Sequence, residues 1–505
     1  MAVRCVVRER QYFDSVFLMR VADRIGREPG VGQVAAVMGT AANKELLAEA
    51  GFHCPEISGT GPNDLVIGVQ GERDAELEAL LARLDDWLAP ERSAAEASRP
   101  RTLDQAVAQL AGANLAVISV PGQHAAREAR RALDRGLHVF VFSDNVPLEA
   151  EIALKRYAAE RGLVVMGPDC GTAIIAGKGL GFANVVRRGP IGVIGASGTG
   201  IQEVTTLLDR AGSGISHAIG TGSRDPSDDV GGGTTLAALD ALDRDEGTQA
   251  LVVVSKPPGR RTLALIRDRV ARAAKPVVAC FLGADVERGG APWTVVRTLD
   301  AAATEALRLV SGGRGEVRKD GERAPQAEDA TAPPAAPRRY VRGLFAGGSL
   351  CYQAQDIFGG AGIKVRSNAP LEGMLRLEDP RRSEGHTFID LGADEFTRGR
   401  PHPMIDPRLR RERILAEAAD PEVAVILLDV ILGFGCAPDP GGDLADAIVH
   451  ARRSGRLDVI ASVIGTPADP QGLDRQVRAL RDAGATVSGS SAEAARLAAA
   501  MVAGA

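Results

Sequence analysis

The stretch from residue 189 to residue 203 restricts the possible folds more than any other part of this chain. Ile191–Ile194 is a short apolar, β-branched run of the kind found in buried strands, and Gly195–Gly200 is too rich in glycine for a helix or a strand. From Ile201 onwards the apolar residues recur with helical spacing. A strand, a loop of small residues and a helix together direct unpaired backbone N–H groups towards an anion. A tight turn with a helix N-cap gives the same pattern, so a single loop leaves that alternative open.

A second copy of this layout favours the anion-binding interpretation. Gly343–Ala354 repeats the loop and the start of the helix. Glycine allows a close approach of the backbone, and hydroxyl side chains add hydrogen-bond donors. The predicted phosphate-binding residues are Ser197, Gly198, Thr199, Gly200, Gly347, Gly348 and Ser349.

The composition excludes several classes of partner. The 505-residue chain has a net charge of −5 and only 4% aromatic residues, so neither nucleic acid nor an anionic membrane surface is an expected ligand. We find no apolar run long enough to cross a membrane and no signal-peptide pattern. Six cysteines occur without a C-x-x-C pair, which predicts reduced thiols, with neither a disulfide framework nor a zinc site. We therefore expect a cytoplasmic protein.

Strands alternate with helices along the chain, which predicts a multidomain α/β protein with parallel sheets. The predicted divisions are a small α/β domain at 1–90, a polar linker at 90–101, a domain at 102–188, a domain at 189–311, a linker at 312–340 and a domain at 341–505. The last domain repeats the order of elements in the domain before the linker. This duplication predicts a pseudo-twofold pair of sheets whose glycine loops face one shared cavity.

Several motifs resemble the α subunit of succinyl-CoA synthetase. Val165–Gly171 is similar to the segment that leads into the ligase domain of the synthetase, and Ile191–Glu203 is similar to its strand, phosphate loop and acidic helix turn. Tyr12–Val16 and Val37–Leu47 resemble the amino-terminal signature of the FdrA family of acyl-CoA-synthetase-like proteins. The resemblance implies a Rossmann-like CoA-binding-type domain followed by two flavodoxin-like ligase domains. It also implies that Glu203 orients a phosphorylated histidine.

The chain departs from the synthetase where that histidine would lie. Neither Gly283–Pro292 nor the matching Gly465–Pro470 contains a histidine, and no length remains for an ATP-grasp domain. The amino-terminal region also lacks a G-x-x-G-x-x-G loop, which argues against a CoA site there. His217 and His402 are the histidines best placed for acid–base chemistry, although loop histidines without a role fit the pattern equally well.

Other polar residues follow strands of the two ligase domains. Asp390, Asp394 and Glu395 have the oxygen ligands that Mg²⁺ prefers, but a solvated acidic loop is the simpler interpretation, and we predict no metal site. Arg224 and Lys256 lie at strand ends and either pair an anionic substrate or are surface charges. The predicted catalytic residues are Glu203, His217 and His402.

The resemblance implies a component of oxamate carbamoyltransferase. That complex converts oxalurate (oxaluric acid) and phosphate into oxamate and carbamoyl phosphate during the degradation of purine-ring nitrogen, so we expect other subunits as partners. The expected ligands are oxalurate with phosphate or an acyl phosphate, and CoA, acyl-CoA or a nucleotide is the alternative. Two other functions stay open. One is an NDP-forming acyl-CoA synthetase with a relocated histidine, and the other is a non-catalytic ligase-fold scaffold.

Overall fold

The computed structural model describes residues 2–11, 13, 15–88, 100–110, 112–284, 286, 293–312, 339–397, 400–453 and 457–503. The predicted linkers at 90–101 and 312–340 lie almost wholly outside these residues, as do most of the loop at 283–292 and Tyr12 of the family signature. The described chain forms two compact units, of which the first is residues 1–106 and the second contains most of the remainder.

The first unit is a three-stranded antiparallel sheet with helices. The strands are β1 (Ala2–Arg8), β2 (Val31–Met38) and β3 (Leu65–Gly71), in the order β1-β3-β2. The helices along this part of the chain are α1 (Ser15–Gly26), α2 (Ala41–Glu49), α3 (Pro55–Ser58), α4 (Asp74–Ala82), α5 (Leu84–Leu88) and α6 (Leu103–Gln109). Alternate side chains of β3 enter two apolar clusters, because successive residues of a strand point to opposite faces. Both faces of the central strand are therefore buried.

Two cysteines of this unit form a disulfide bond, which corrects the expectation that all six are reduced thiols. Cys5 on β1 and Cys54 before α3 are bonded, with their Cα atoms 6.1 Å apart. Both side chains pack against the cluster that contains Phe52 and Val66, so the fold brings together two residues that are 49 positions apart. Their spacing in the sequence gives no sign of this contact. The other four cysteines, Cys170, Cys280, Cys351 and Cys436, are free.

A small parallel sheet opens the second unit. Its strands, in spatial order, are β4 (Leu115–Ile118), β5 (His138–Val141) and β6 (Val165–Met166), and its crossover helices are α7 (Gly122–Leu133) and α8 (Leu148–Ala159). Two further strands of the predicted 102–188 domain, β7 (Thr172–Ile175) and β8 (Lys178–Gly181), join the next sheet instead. This hairpin ties the small sheet to the sheet that carries the first glycine loop.

Two seven-stranded sheets follow, and five strands of each share one order. Their strands are β9 (Arg188–Gly195), β10 (Ile215–Gly220), β11 (Ala250–Ser255), β12 (Val277–Phe281), β13 (Trp293–Val296), β14 (Tyr340–Phe345), β15 (Arg366–Ser367), β16 (Leu375–Arg376), β17 (Thr387–Asp390), β18 (Val423–Ile431), β19 (Asp458–Ile464) and β20 (Thr486–Ser488). The first sheet runs β13-β12-β11-β9-β10-β7-β8, and the second runs β20-β19-β18-β14-β17-β15-β16. The outer pair differs, because β7 and β8 precede β9 and are antiparallel, whereas the corresponding pair of the second sheet is parallel and follows its first strand. β9 and β14, which precede the two glycine loops, hold equivalent positions. The order of the five shared strands agrees with the predicted repeat of elements.

Four helices join the two repeats into one body. The helices of this region are α9 (Gly198–Arg210), α10 (Gly233–Arg244), α11 (Arg260–Val270), α12 (Leu299–Val310), α13 (Gly348–Gly360), α14 (Asp394–Thr397), α15 (Arg408–Ala418), α16 (Gly442–Arg452), α17 (Leu473–Asp482) and α18 (Ser491–Val502). α9 and α12 of the first repeat pack with α13 and α18 of the second. Val204, Leu208, Phe358 and Ala495 are fully buried in a single apolar cluster that draws on both sheets.

The predicted α/β fold class with parallel sheets is confirmed. Within the described part of the chain, none of the helices has both the length and the apolar character needed to cross a membrane.

The shared core leads to a prediction about separability. If a protease site is engineered between Gly312 and Arg339 and then cut, the two fragments should remain together, because separating them would expose the apolar faces of α9, α12, α13 and α18. Size-exclusion chromatography of the cut and uncut full-length protein gives the measurement. Elution of two independent fragments would show that the repeats are separate domains.

Candidate functional site

The two glycine loops meet where α9 and α13 begin. α9 starts at Gly198, with Ser197 as its N-cap, and α13 starts at Gly348. A Cβ atom placed on Gly347 would lie 2.7 Å from Thr199 Oγ1, and one placed on Gly200 would lie 3.6 Å from Ser349 Oγ. Glycine at these positions therefore lets the first turns of the two helices touch. We call this contact the junction. The two loops therefore lie together, and the cavity predicted between them stays a prediction.

Unused hydrogen-bond donors are concentrated at the junction. Among the described residues, the backbone N–H groups of Gly198, Thr199, Gly348 and Ser349 have no acceptor, as expected for the first residues of a helix. Ser349 is fully buried, and within the same part of the chain its hydroxyl has no hydrogen-bond partner. Buried polar atoms are nearly always paired, so an unpaired hydroxyl between two helix N-termini points to a missing acceptor.

The second loop differs from the first because a buried carboxylate occupies part of it. Asp429 on β18 accepts the N–H groups of Ala346 and Gly347 at 2.9–3.0 Å. Arg410 Nη2 lies 3.0 Å from the same carboxylate. In the first loop, by contrast, the N–H of Ala196 donates to the carbonyl of Val254 at 3.0 Å. The N–H of Gly347 is therefore already used, and this residue provides space at the junction and not a free donor.

Asp429 and Arg410 were not among the predicted site residues. Burial raises the pKa of Asp429, and the charge of Arg410 opposes that rise. Only one signal in the sequence could have indicated this pair, which is an acidic residue inside an otherwise apolar strand. That signal concerns Asp429, and only the contacts in the structure show that Asp429 pairs with Arg410 and holds the second loop.

Asp390 and Lys256 border the junction from opposite repeats. Asp390 ends β17, accepts the N–H of Gly392 at 3.0 Å, and would have Oδ2 2.7 Å from a Cβ atom on Gly348. Lys256 follows β11, and its Nζ lies 5.4 Å from the ring centre of Tyr352 on α13. Burial raises the pKa of Asp390 to about 6, and the charge of Lys256 opposes the rise. Both side chains remain partly accessible to solvent.

His402 lies beside the second loop. Its Nε2 would be 2.6 Å from a Cβ atom on Gly392, and the carbonyl of Ala346 would be 2.9 Å from the same atom. Its Nδ1 accepts the N–H of Met404 at 3.2 Å, and its ring packs against Phe182 with centres 5.9 Å apart. Burial lowers the pKa of His402 to about 4, so the imidazole is neutral near pH 7. The structure thus brings one predicted histidine to the site.

His217 is not brought to the site. It lies 3.9 Å from Asp245, which ends α10 just before β11, and it accepts the N–H of Ala176 at 3.2 Å. These contacts lie towards the amino-terminal ends of the parallel strands, whereas the glycine loops follow their carboxyl-terminal ends. The acid–base role predicted for His217 therefore has no support in this geometry. The physical reason is that His217 lies near the start of β10, at the end of the strands opposite to the glycine loops.

Glu203 faces a helix of the other repeat and not the junction. Its carboxylate accepts the N–H and the hydroxyl of Ser491 at 2.9 and 3.0 Å, at the first residue of α18. Gln353, the equivalent residue of α13, accepts the N–H of Leu299 on α12 at 2.6 Å and donates to the hydroxyl of Ser491 at 2.7 Å. Each glycine-loop helix thus caps the last helix of the opposite repeat. The resemblance to the synthetase implies that Glu203 orients a phosphohistidine. The contacts of Glu203 do not support that role.

The remaining candidates are engaged elsewhere or lie at the surface. Arg224 donates to Glu151 and to the carbonyl of Val146 at 2.8 and 2.7 Å, so it is bound to α8 and the loop before it. Asp394 and Glu395 are exposed on α14. No set of three or more His, Cys, Asp or Glu side chains has metal-site geometry within the described ranges.

Comparisons with known proteins agree with this architecture. Residues 344–501 match the CoA-ligase family, and residues 1–106 match the family described as AllF, heavy metal-associated domain. The uncharacterized protein YahF of Escherichia coli (strain K12) is 41% identical over 502 residues, covering 97% of each chain. The chain belongs to the FdrA family. Within the succinyl-CoA synthetase-like superfamily, this FdrA protein is also similar to more distant relatives.

One of these is the α subunit of ADP-forming succinate–CoA ligase from Staphylococcus aureus (strain Mu50 / ATCC 700699). It is 29% identical over 212 residues, which are 41% of this chain and 65% of that subunit. Another is a solved structure of the dinucleotide-forming acetyl-coenzyme A synthetase 1 of Ca. Korarchaeum cryptofilum in complex with phosphate and ADP. It is 16% identical and covers 77% of this chain and 83% of its own, with a TM-score of 0.32. At this score the superposition supports no argument about the site.

Two substitutions separate the capping role of Glu203 from the role implied by the resemblance. Glu203→Gln keeps an acceptor oxygen for Ser491 and should change the free energy of unfolding little, whereas Glu203→Ala leaves buried donors unpaired and should cost about 1–3 kcal/mol. Thermal or denaturant unfolding of the full chain measures this difference. A stable Glu203→Gln protein that has lost turnover would support the catalytic role instead.

Proposed function

We propose that this chain is the phosphate-binding subunit of an FdrA-type oxamate carbamoyltransferase, which converts oxalurate and phosphate into oxamate and carbamoyl phosphate. The observation that carries the proposal is the buried, unpaired hydroxyl of Ser349 between two helix N-termini whose first N–H groups are free. A helix N-terminus attracts anions through its N–H groups and its dipole. Two such ends in contact form a site suited to a dianion such as phosphate.

The proposed reaction needs phosphate to be held against an acyl carbon. A phosphate oxygen attacks the ureido carbonyl carbon of oxalurate, and the bond from that carbon to the oxamate nitrogen breaks. The leaving nitrogen takes up one proton and phosphate loses one, so the equation balances. Donors fixed in place stabilise the negative charge that develops on attack, and positioning of the two reactants lowers the barrier further.

Partner subunits are part of this proposal. The succinate–CoA ligase relative is named as an α subunit, and its similarity covers only part of each chain. The FdrA chain has no histidine between Gly283 and Pro292 to carry a phosphoryl group. We therefore assign phosphate binding to this chain and expect other subunits to complete the binding site for oxalurate.

Removal of the Ser349 hydroxyl tests the phosphate site. Ser349→Ala should weaken binding of inorganic phosphate by about 10- to 150-fold, because a hydrogen bond to a charged group is worth about 1.5–3 kcal/mol. It should not destabilise the fold, since the hydroxyl has no partner among the described residues. Isothermal titration calorimetry of the full chain gives the affinity. Ser311→Ala, which removes an exposed hydroxyl at the end of α12, is the control.

Ser349→Ala is a sharper probe than a valine at Gly198. A Cβ atom on Gly198 would lie 2.8 Å from Thr172 Oγ1, so Gly198→Val would disturb the protein even without phosphate. If Ser349→Ala binds phosphate as tightly as the parent, the junction is a packing contact and the proposed site is rejected.

The reaction itself is tested on the full-length chain, alone and co-expressed with the products of neighbouring genes. Oxalurate and inorganic phosphate should give carbamoyl phosphate, observed by ³¹P NMR, and the reverse mixture should consume it. Acyl-CoA formation with nucleotide hydrolysis, and no phosphate-dependent loss of oxalurate, would reject the carbamoyl-transfer proposal.

One observation favours a second candidate function, an NDP-forming acyl-CoA synthetase. His402 lies next to the second glycine loop, so it is the natural place for a relocated phosphohistidine. Incubation with γ-labelled nucleotide would then give an acid-labile label on the protein, and His402→Asn would abolish that label. The carbamoyl-transfer proposal expects no label in either protein.

A further inference from the structure

We infer that Asp390 is the catalytic residue that carries the proton from phosphate to the leaving nitrogen at the junction. This inference rests on the proposed function, because it assigns a role within the same site. Lys256 is the cation that lowers the pKa of the Asp390 carboxyl group. The sequence predicts no role in proton transfer for Asp390 or Lys256.

The carboxylate of Asp390 lies at the first residue of α13. Asp390 Oδ2 lies against the backbone of Gly348, where any side chain would collide with it. Its Oδ1 is held by the N–H of Gly392, which leaves Oδ2 directed at the first turn of α13. An anion bound to the free N–H groups of Gly348 and Ser349 would therefore be next to Oδ2. Asp390 is partly accessible to solvent.

A carboxylate in this place would repel phosphate unless it held a proton. The charged or titratable groups around it come from the residue after β11, from β18, α13 and α14, and from the loop after α14. They are Lys256, Asp429, Cys351, Tyr352, Glu395 and His402. Lys256 is the cation of this set, and the charge of Asp429 is largely offset by Arg410. A bound dianion adds negative charge, which further favours the protonated form of Asp390.

The proton can then follow a closed route. Protonated Asp390 donates to the oxamate nitrogen as the bond between that nitrogen and the carbamoyl carbon breaks. The resulting carboxylate accepts the proton of the phosphoryl group that is now bonded to the carbamoyl carbon. Asp390 ends the cycle protonated, and no other reactant is needed.

Sulfate binding tests the inference without any need for turnover. Sulfate stays a dianion between about pH 5 and about pH 8, so a change in its affinity over this range reports on the protein. Because the pKa of Asp390 is raised to about 6, we expect sulfate binding to the full chain to weaken by about tenfold over this range, which equals one unit of pKa coupling. Asp390→Asn keeps the bond to Gly392 and should remove the dependence. Asp379→Asn, which changes an exposed aspartate of the same repeat, should retain it.

The outcomes separate this inference from the proposed function. Absence of sulfate and phosphate binding to the parent at every pH would reject the anion site itself. Binding with the same affinity across the range, or an unchanged dependence in Asp390→Asn, would reject the role of Asp390 and leave the anion site standing.

Turnover of the complex provides the second readout. With Asp390 as the acid, kcat/KM should fall as pH rises through the pKa of this group, which gives the pH profile a descending limb. Asp390→Asn should remove that limb together with most of the activity. Lys256→Met removes a cation that lowers the pKa of Asp390, so the limb should move to higher pH. A limb that stays in place in Lys256→Met, or persists in Asp390→Asn, would overturn the inference.

Discussion

The positive ends of two helix dipoles meet where α9 touches α13, and the two repeats are arranged around that contact. Two such ends repel each other, and each carries N–H groups without a partner. The protein offsets the repulsion with negative groups. Asp429 binds the second loop and Asp390 lies against Gly348. An anion between the helices would offset it further, so anion binding and the packing of the two repeats depend on the same charges.

Reciprocal capping holds this contact in place. Glu203 and Gln353 occupy equivalent positions in the two repeats, and each reaches the first turn of the last helix in the opposite repeat. The hydroxyl of Ser491 joins the two side chains. The repeats therefore share polar contacts as well as an apolar core, and a movement of one glycine-loop helix is passed to the other repeat.

The repeats have diverged in the loops while keeping the sheets. Five strands of each sheet keep the same order, yet the first loop has a serine N-cap and the second has a buried carboxylate beneath it. Such an arrangement suits a site in which both helix N-termini bind the phosphate dianion and the second repeat places a proton carrier beside it. The histidine that the resemblance to the synthetase leads one to expect at 283–292 is absent from the sequence, and the titratable groups near the junction include Asp390 and His402.

The sequence by itself determined the α/β class, the duplication and the two loops, because apolar periodicity and runs of glycine are local properties of the chain. It also led to the family. Only the tertiary structure decided which polar residues meet. His217 and His402 both lie close to strands in the sequence, but they lie at opposite ends of the parallel strands in the structure. Glu203 caps a helix of the other repeat. The bond between Cys5 and Cys54 joins residues 49 positions apart, and Asp429 and Arg410 pair across a strand and a helix. Such contacts depend on how strands and helices pack, and no local pattern records them.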